Sequence, residues 1–258
     1  KAGLNMSDEN IIGTSTTAAV PPKTCNDLFS QGDILFWQCE YEKAKEYFEQ
    51  ILNQPSITLI HSARCYNSLG AVNAELKNYD EALNNYHKHL AILEKLETPE
   101  TRKSDIAKCH ISIGKIYSLK EDYVGAIDWY QQALSVLSTI NSSSDLISNI
   151  HHDLANLYTK TKQFDLAEKH FTTALEMDRQ QLEEDHPKFG QTYANMGVMY
   201  YCQEDYKQAL KYFFEAQRTW QKFLPASHVY IDSMEKTIRK VESKLGMYIQ
   251  GVPKVMIT

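Results

Sequence analysis

From residue 24 to residue 249 the chain repeats one pattern of small, apolar and polar positions. A small residue is followed three positions later by a ring, nine further on by Ala, and four beyond that by a second ring. Gly114, Tyr117, Ala126, Tyr130 and Ala133 follow it, as do Ala155, Tyr158, Ala167, Phe171 and Ala174, and Gly197, Tyr200, Ala209, Phe213 and Ala216. Two earlier copies are looser, through Gly32, Leu35, Ala44 and Phe48 and through Gly70, Asn73, Ala82 and Tyr86. Ala44, Ala82, Ala126, Ala167 and Ala209 are 38, 44, 41 and 42 residues apart, a period near 42.

Each unit predicts two antiparallel helices. Small residues let the rods approach closely, and the rings fill the space beside them. The turns carry their own signal: Lys77-Asn78-Tyr79-Asp80, Lys120-Glu121-Asp122-Tyr123, Lys162-Gln163-Phe164-Asp165 and Glu204-Asp205-Tyr206 set polar residues around one ring. One hairpin cannot bury its faces alone, so neighbours must stack. The expected units are 24–57, 62–98, 104–140, 145–184 and 187–224, followed by a capping helix over 227–249.

These motifs resemble the tetratricopeptide repeat family over residues 24 to 249. The resemblance implies an all-α, right-handed α-solenoid of about five helical hairpins with a C-terminal cap. The family's unit is about 34 residues, and the surplus of about 8 adds roughly two helical turns. Units this long are similar to the kinesin-light-chain type, as is Glu184-Asp185-His186-Pro187 ahead of the fifth unit, although the other units lack that motif. Asp185 or His186 can cap the following helix, with Pro187 in its first turn.

The ends read differently. Residues 1–23, rich in Ser, Thr, Ala and Gly with Pro21-Pro22, predict an unstructured leader. In the last helix Ser227 is the expected N-cap, and Tyr230, Met234, Ile238, Val241 and Leu245 form an apolar stripe. Aligning His228 with His186 puts Arg239 where Gly197 stood, which stops the stacking there. The tail 250–258 holds Val252, Val255, Met256 and Ile257, which dock on the array or lead into a further domain. The first residue is Lys1, as in a segment of a longer protein.

Composition agrees with long helices: 10 Gly and 7 Pro are few for 258 residues. A formal charge of −6 supplies no global field for a nucleic-acid backbone. Cys25, Cys39, Cys65, Cys109 and Cys202 are odd in number and scattered, so a disulfide framework or zinc site is not expected, and a reducing, cytoplasmic compartment is. No apolar run is long enough to span a membrane, and no signal-peptide layout is present.

In the family the resemblance names, the first helices of successive hairpins line a concave surface. Counted from the small residue, offsets −6, −3, +1, +4 and +5 share one helical face. They select Asn26, Phe29, Asp33, Phe36 and Trp37; Arg64, Asn67, Ala71, Ala74 and Glu75; Lys108, Ile111, Lys115, Ser118 and Leu119; Asn149, His152, Asn156, Thr159 and Lys160; and Gln191, Ala194, Val198, Tyr201 and Cys202. The middle three units offer Arg64, Lys108, Lys115 and Lys160 against Glu75, so the groove is expected to be locally positive. Asn67, Asn149, Asn156 and Gln191 can pair with the backbone of an extended peptide. An acidic linear segment of a partner protein is the expected ligand. The chaperone-tail clamp of some family members needs basic and Asn side chains at matched places in three units, where this chain has Phe29, Asp33, Ile111 and Asp153.

No catalytic, metal or cofactor site is expected. His87 and His89 point to different sides of a helix, His61 and His186 stand at helix starts, and His110 and His151 occupy a packed position four residues before the small one. Cys109 and His110 are adjacent and project about 100° apart, too far to act as a nucleophile–base pair. No Gly-rich phosphate loop is present. Trp129 and Trp220 are expected between hairpins, and Trp37 on the groove with Phe29 and Phe36, either as an apolar pocket or as a patch that the leader or the tail covers. A noncatalytic scaffold or adaptor accounts for these features; a targeting or regulatory region of a larger enzyme and a self-assembling array are the alternatives.

Overall fold

A computed structural model describes residues 25–96, 100–140, 144–183, 186–225 and 227–249. The expected leader 1–23 and tail 250–258 lie outside the described residues, as do Glu184 and Asp185. The described residues form helices and turns, and the five hairpins are α1 Cys25–Trp37 with α2 Tyr41–Leu52, α3 Leu59–Glu75 with α4 Tyr79–Lys95, α5 Glu100–Leu119 with α6 Tyr123–Leu137, α7 Ser144–Lys160 with α8 Phe164–Arg179, and α9 Pro187–Cys202 with α10 Tyr206–Gln221. A single helix, α11 Val229–Ile249, closes the array. Each helix packs on its neighbours in sequence, and α7 also touches α9, as stacked hairpins require.

The repeated spacing has a direct physical image. A Cβ at Gly32, Gly70, Gly114 or Gly197 would lie within 3.1 Å of Phe48, Tyr86, Tyr130 or Phe213, each 16 residues on. Ala155 and Phe171 hold the same places in the fourth hairpin and are wholly buried in one cluster. Ala44, Ala82, Ala126, Ala167 and Ala209 are all fully buried, so the second helix presents no bulk at its crossing.

The hairpin turns share one geometry. Cys39, Lys77, Glu121, Lys162 and Glu204 all have positive φ, between 60° and 69°. Around Lys162, for example, its amide donates to the Thr159 carbonyl at 3.1 Å and the Gln163 amide to the Tyr158 carbonyl at 2.8 Å. The same pair of bonds recurs in the other four turns and satisfies the helix-terminal carbonyls as a Schellman motif does, here without glycine. Asp122 and Asp205 then cap the following helices by accepting from the Gly125 and Gln208 amides. The ring after each turn, at Tyr41, Tyr79, Tyr123, Phe164 and Tyr206, is half-buried.

Two details of the ends depart from expectation. The α11 cap is His228, whose Nδ1 accepts from the Tyr230 amide at 3.2 Å, one residue later than Ser227. The apolar stripe therefore starts at Ile231, 1% exposed, and continues through Met234, Ile238 and Val241, while Tyr230 stays 54% exposed beside Trp220. In α9 the cap is as expected: His186 Nδ1 accepts from the Lys188 amide, with Pro187 at the first helical position. Trp220 is buried and its Nε1 donates to the Pro187 carbonyl at 3.3 Å, tying α10 to α9. Trp129 lies between His87 and His110, ring centroids 5.6 and 5.3 Å away.

Candidate peptide-binding groove

The first helices α1, α3, α5, α7 and α9 carry the selected face, and its five offsets behave differently. At −6, Asn26, Arg64, Lys108, Asn149 and Gln191 are all exposed, and so at +5 are Trp37, Glu75, Leu119, Lys160 and Cys202. At +1, Lys115, Asn156 and Val198 are exposed; at +4, Tyr201 and its equivalents are half-buried. Offset −3 is where the reading needs correction. Phe29, Ile111 and Ala194 are buried at 1%, 8% and 8% exposure, and only Asn67 is exposed there, with His152 half-buried. On a wheel of about 100° per residue, −6, +1 and +5 lie within roughly 40° of one another, whereas −3 and +4 sit about 60–80° from the centre of that group. Ile111 and Ala194 thus form floor rather than contact surface. Among the described residues the expected pocket of Phe29, Phe36 and Trp37 does not form: Phe29 is core, and Trp37, 82% exposed, meets Phe36 edge to face with ring centroids 5.9 Å apart.

The charge of the face is also more balanced than the selected set implies. Arg64 pairs with Asp33 across α3 and α1 at 2.7 Å and lies 4.1 Å over the Phe29 ring. Lys108 pairs with Asp105 at 3.2 Å. Among the described residues Lys115 and Lys160 form no ion pair within 4 Å, and both are exposed. Asp153, half-buried, takes a hydrogen bond from the buried Tyr130 hydroxyl. Burial raises its carboxyl above the usual range, against the pull of Tyr130, Lys115 and His152.

Between the fourth and fifth hairpins the groove widens into a cleft of about 370 Å³, lined by Lys115 of α5, Asn149, His152, Asp153 and Asn156 of α7, and Lys188, Gln191, Thr192 and Asn195 of α9. A second cleft of about 360 Å³ lies between the second and third, with Arg64, Asn67 and Lys108 beside Ile60, Ala63 and Leu93. Asp105, Asp153, Lys188 and Asn195 were not selected from the sequence. A window carried on to offsets −2 and −9 includes them, because these turn back toward the same face.

Beneath the larger cleft a polar lock joins two hairpins. Asp178 is fully buried on α8 and accepts from Ser148 Oγ at 2.6 Å and Lys188 Nζ at 2.8 Å; His152 Nε2 stands 3.4 Å from its other oxygen and 3.3 Å from Thr192 Oγ1. Burial alone would push the Asp178 carboxyl up, but the hydrogen bonds from Lys188, Ser148 and His152 prevail and hold it below its ordinary range. His152 is held below its usual value by burial and by the Lys188 charge, against Asp178. The lock fixes α9 against α7 and α8 and so sets the width of the cleft above it. Among the described residues no group of three or more His, Cys, Asp or Glu could hold a metal ion, and no helix is long and apolar enough to cross a membrane.

Stacked two-helix units whose first helices line shared clefts define a helical-repeat solenoid. The tetratricopeptide repeat model matches residues 26–95, 61–139 and 146–222, and the chain belongs to that family. Similar solved structures include BtubC (BKLC) from P. vanneervenii, 18% identical with a TM-score of 0.64 over 79% of this chain and 83% of that one. A putative kinesin light chain of Podosopora anserina with nearly identical TPR-like repeats is 14% identical, TM-score 0.64, over 76% and 95%. YrrB, a TPR protein with an unusual peptide-binding site, is 17% identical, TM-score 0.53, over 83% and 92%. At these identities the likeness is one of fold. No curated protein matches the chain.

Proposed function

We propose that the chain is a noncatalytic scaffold that holds an extended, acidic segment of a partner protein along its concave face. The observation that carries this reading is the cleft to which α5, α7 and α9 each contribute side chains, with exposed amides at Asn149, Asn156 and Gln191 and the exposed ammonium of Lys115 at its margin. Side-chain amides both donate and accept, which suits the alternating groups of a peptide backbone. Lys115 and Lys160 supply charge not already committed to an ion pair among the described residues, so an acidic side chain meets net attraction there. The unusual peptide-binding site of YrrB and family membership support protein binding; the acidic preference rests on this chain's own residues. A reducing, cytoplasmic setting belongs to the same proposal and rests on the scattered, odd-numbered cysteines of the sequence.

The test is fluorescence anisotropy with a labelled Glu-rich decamer and a neutral Gln-rich counterpart. Wild-type chain is expected to favour the acidic peptide, more so at low salt, and the Lys108→Glu, Lys115→Glu chain to bind it at least tenfold more weakly. Equal affinity for both peptides, or an unchanged affinity after charge reversal, rejects the acidic preference. Unchanged affinity in Asn149→Ala, Asn156→Ala rejects the cleft as the binding place.

A further inference from the structure

Hairpins three, four and five each set a pair of rings, 19 residues apart, across their two helices. The pairs are His110 with Trp129, His151 with His170, and Tyr193 with Tyr212, at centroid separations of 5.3, 5.0 and 6.3 Å. In the fourth hairpin both partners are imidazoles, and their Nδ1 atoms are 2.8 Å apart. At that distance one nitrogen carries the proton and the other accepts it. A second proton would oppose two N–H groups across the same gap, with two positive charges beside them.

Among the described residues the charged neighbours add to that repulsion. On α7 the neighbouring His152 adds positive character to His151, and on α8 Lys169 does so to His170. From the ring side Tyr158 stacks on His170 at 5.3 Å, its hydroxyl taking a hydrogen bond from Gln131 Nε2 of α6. Glu168, two residues before His170, accepts instead from the Tyr200 hydroxyl of α9. Among the described residues no carboxylate acts on either imidazole.

We propose that the His151–His170 pair is an acid-sensitive latch, whose second protonation parts α7 from α8 and opens the fourth hairpin. Because α7 also carries Asn149, His152 and Asn156, opening would dismantle the centre of the groove. Burial holds both imidazoles below their ordinary value, His170 at about 4 with the His151 and Lys169 charges adding to the effect. Once the hairpin opens, an imidazole regains a value near 6.5. The closed state is thus fully favoured above about pH 6.5 and loses ground as pH falls from there toward 4. For His170 alone the opening constant at pH 5 rises about 30-fold over that at pH 7.5.

Hydrogen exchange read by mass spectrometry on the full chain, without ligand, tests the latch. After correction for intrinsic exchange rates, amides of α7 and α8 are expected to lose at least tenfold protection between pH 7.5 and pH 5. His151→Tyr with His170→Tyr installs the ring pair of the fifth hairpin and is expected to abolish that loss. His151→Leu with His170→Tyr, the residues of the first hairpin at these positions, serves if the first variant does not fold. Unchanged protection in the wild type, or the same loss in the folded variant, overturns the proposal. As no peptide is present, either result leaves the groove reading standing.

Discussion

The crossing of small residue and ring can be tested by moving one methyl group. Alanine at position 197 would put a Cβ 2.6 Å from Cδ1 and Cε1 of Phe213, a ring only 2% exposed. At Gly114 the same methyl meets Tyr130 at 3.1 Å, close enough to need a small shift but no displacement of the ring. Replacing Gly by Ala inside a helix contributes about 1 kcal/mol of stability through the backbone, while overpacking a core costs about 1–3 kcal/mol. The two effects nearly cancel at 3.1 Å and the second wins at 2.6 Å. Gly114→Ala is therefore expected within about 1 kcal/mol of wild type, and Gly197→Ala about 1–2 kcal/mol less stable. The reverse change, Ala155→Gly, loses both the backbone term and a buried methyl, again about 1–2 kcal/mol. Urea unfolding followed by far-UV circular dichroism measures all three. Gly197→Ala as stable as Gly114→Ala, or Ala155→Gly without loss, would refute the idea that these contacts set the distance between paired helices.

Asp178→Ala leaves Lys188, Ser148 and His152 without their shared buried acceptor and is expected to cost about 3–5 kcal/mol; urea unfolding of this chain and of the milder Asp178→Asn should show losses in that order. Since the Asp178 carboxyl lies below its ordinary value, its contribution is complete above about pH 4 and is lost as pH falls further. An acid-unfolding curve of Asp178→Asn should consequently be shallower than wild type below pH 4. In the turns, Lys77→Gly and Lys162→Gly relieve a side chain from positive φ and are each expected to stabilise by about 1 kcal/mol, read as a higher urea midpoint.

Sequence spacing was most informative where one contact sets it. Gly114, Ala155 and Gly197 are small because a ring presses on each, and the distance between them is the distance between crossings, so hairpins and their stacking were legible. Exposure of the selected face was legible at offsets −6 and +5 and, in the last three hairpins, at +1, where side chains project away from the stack. It was not at −3, where the next hairpin covers Phe29 and Ile111 and α11 covers Ala194, since a wheel describes one helix and burial depends on its neighbour. Pairing across elements was harder still. Asp105 and Asp33 neutralise Lys108 and Arg64 through contacts that no net-charge count reveals. His151 and His170 sit 19 residues apart across a turn, although the equivalent Tyr193 and Tyr212 mark that position as a place where two rings meet.

The ends of the stack bear on how such an array can hold a partner. In hairpins two to five the positions five before, one before and two after the small residue face the preceding hairpin, and Cys65, Leu69 and Val72, Cys109, Ile113 and Ile116, Ile150, Leu154 and Leu157, and Met196 and Met199 are at most 4% exposed there, with Thr192 fully buried. In α1 the same register reads Asp27, Gln31 and Ile34, the last 49% exposed. At these three positions α1 carries two polar side chains and one isoleucine, where the later hairpins carry eleven apolar residues and one threonine. The far side of α11 is polar as well, since Lys236 and Arg239 are exposed and paired within their own helix to Asp232 and Glu235. Among the described residues the outer faces of α1 and α11 lack the apolar register that joins one unit to the next. The lateral clefts, where amides and ammonium groups stand clear of the packing, are the surface among the described residues that the proposed partner would use.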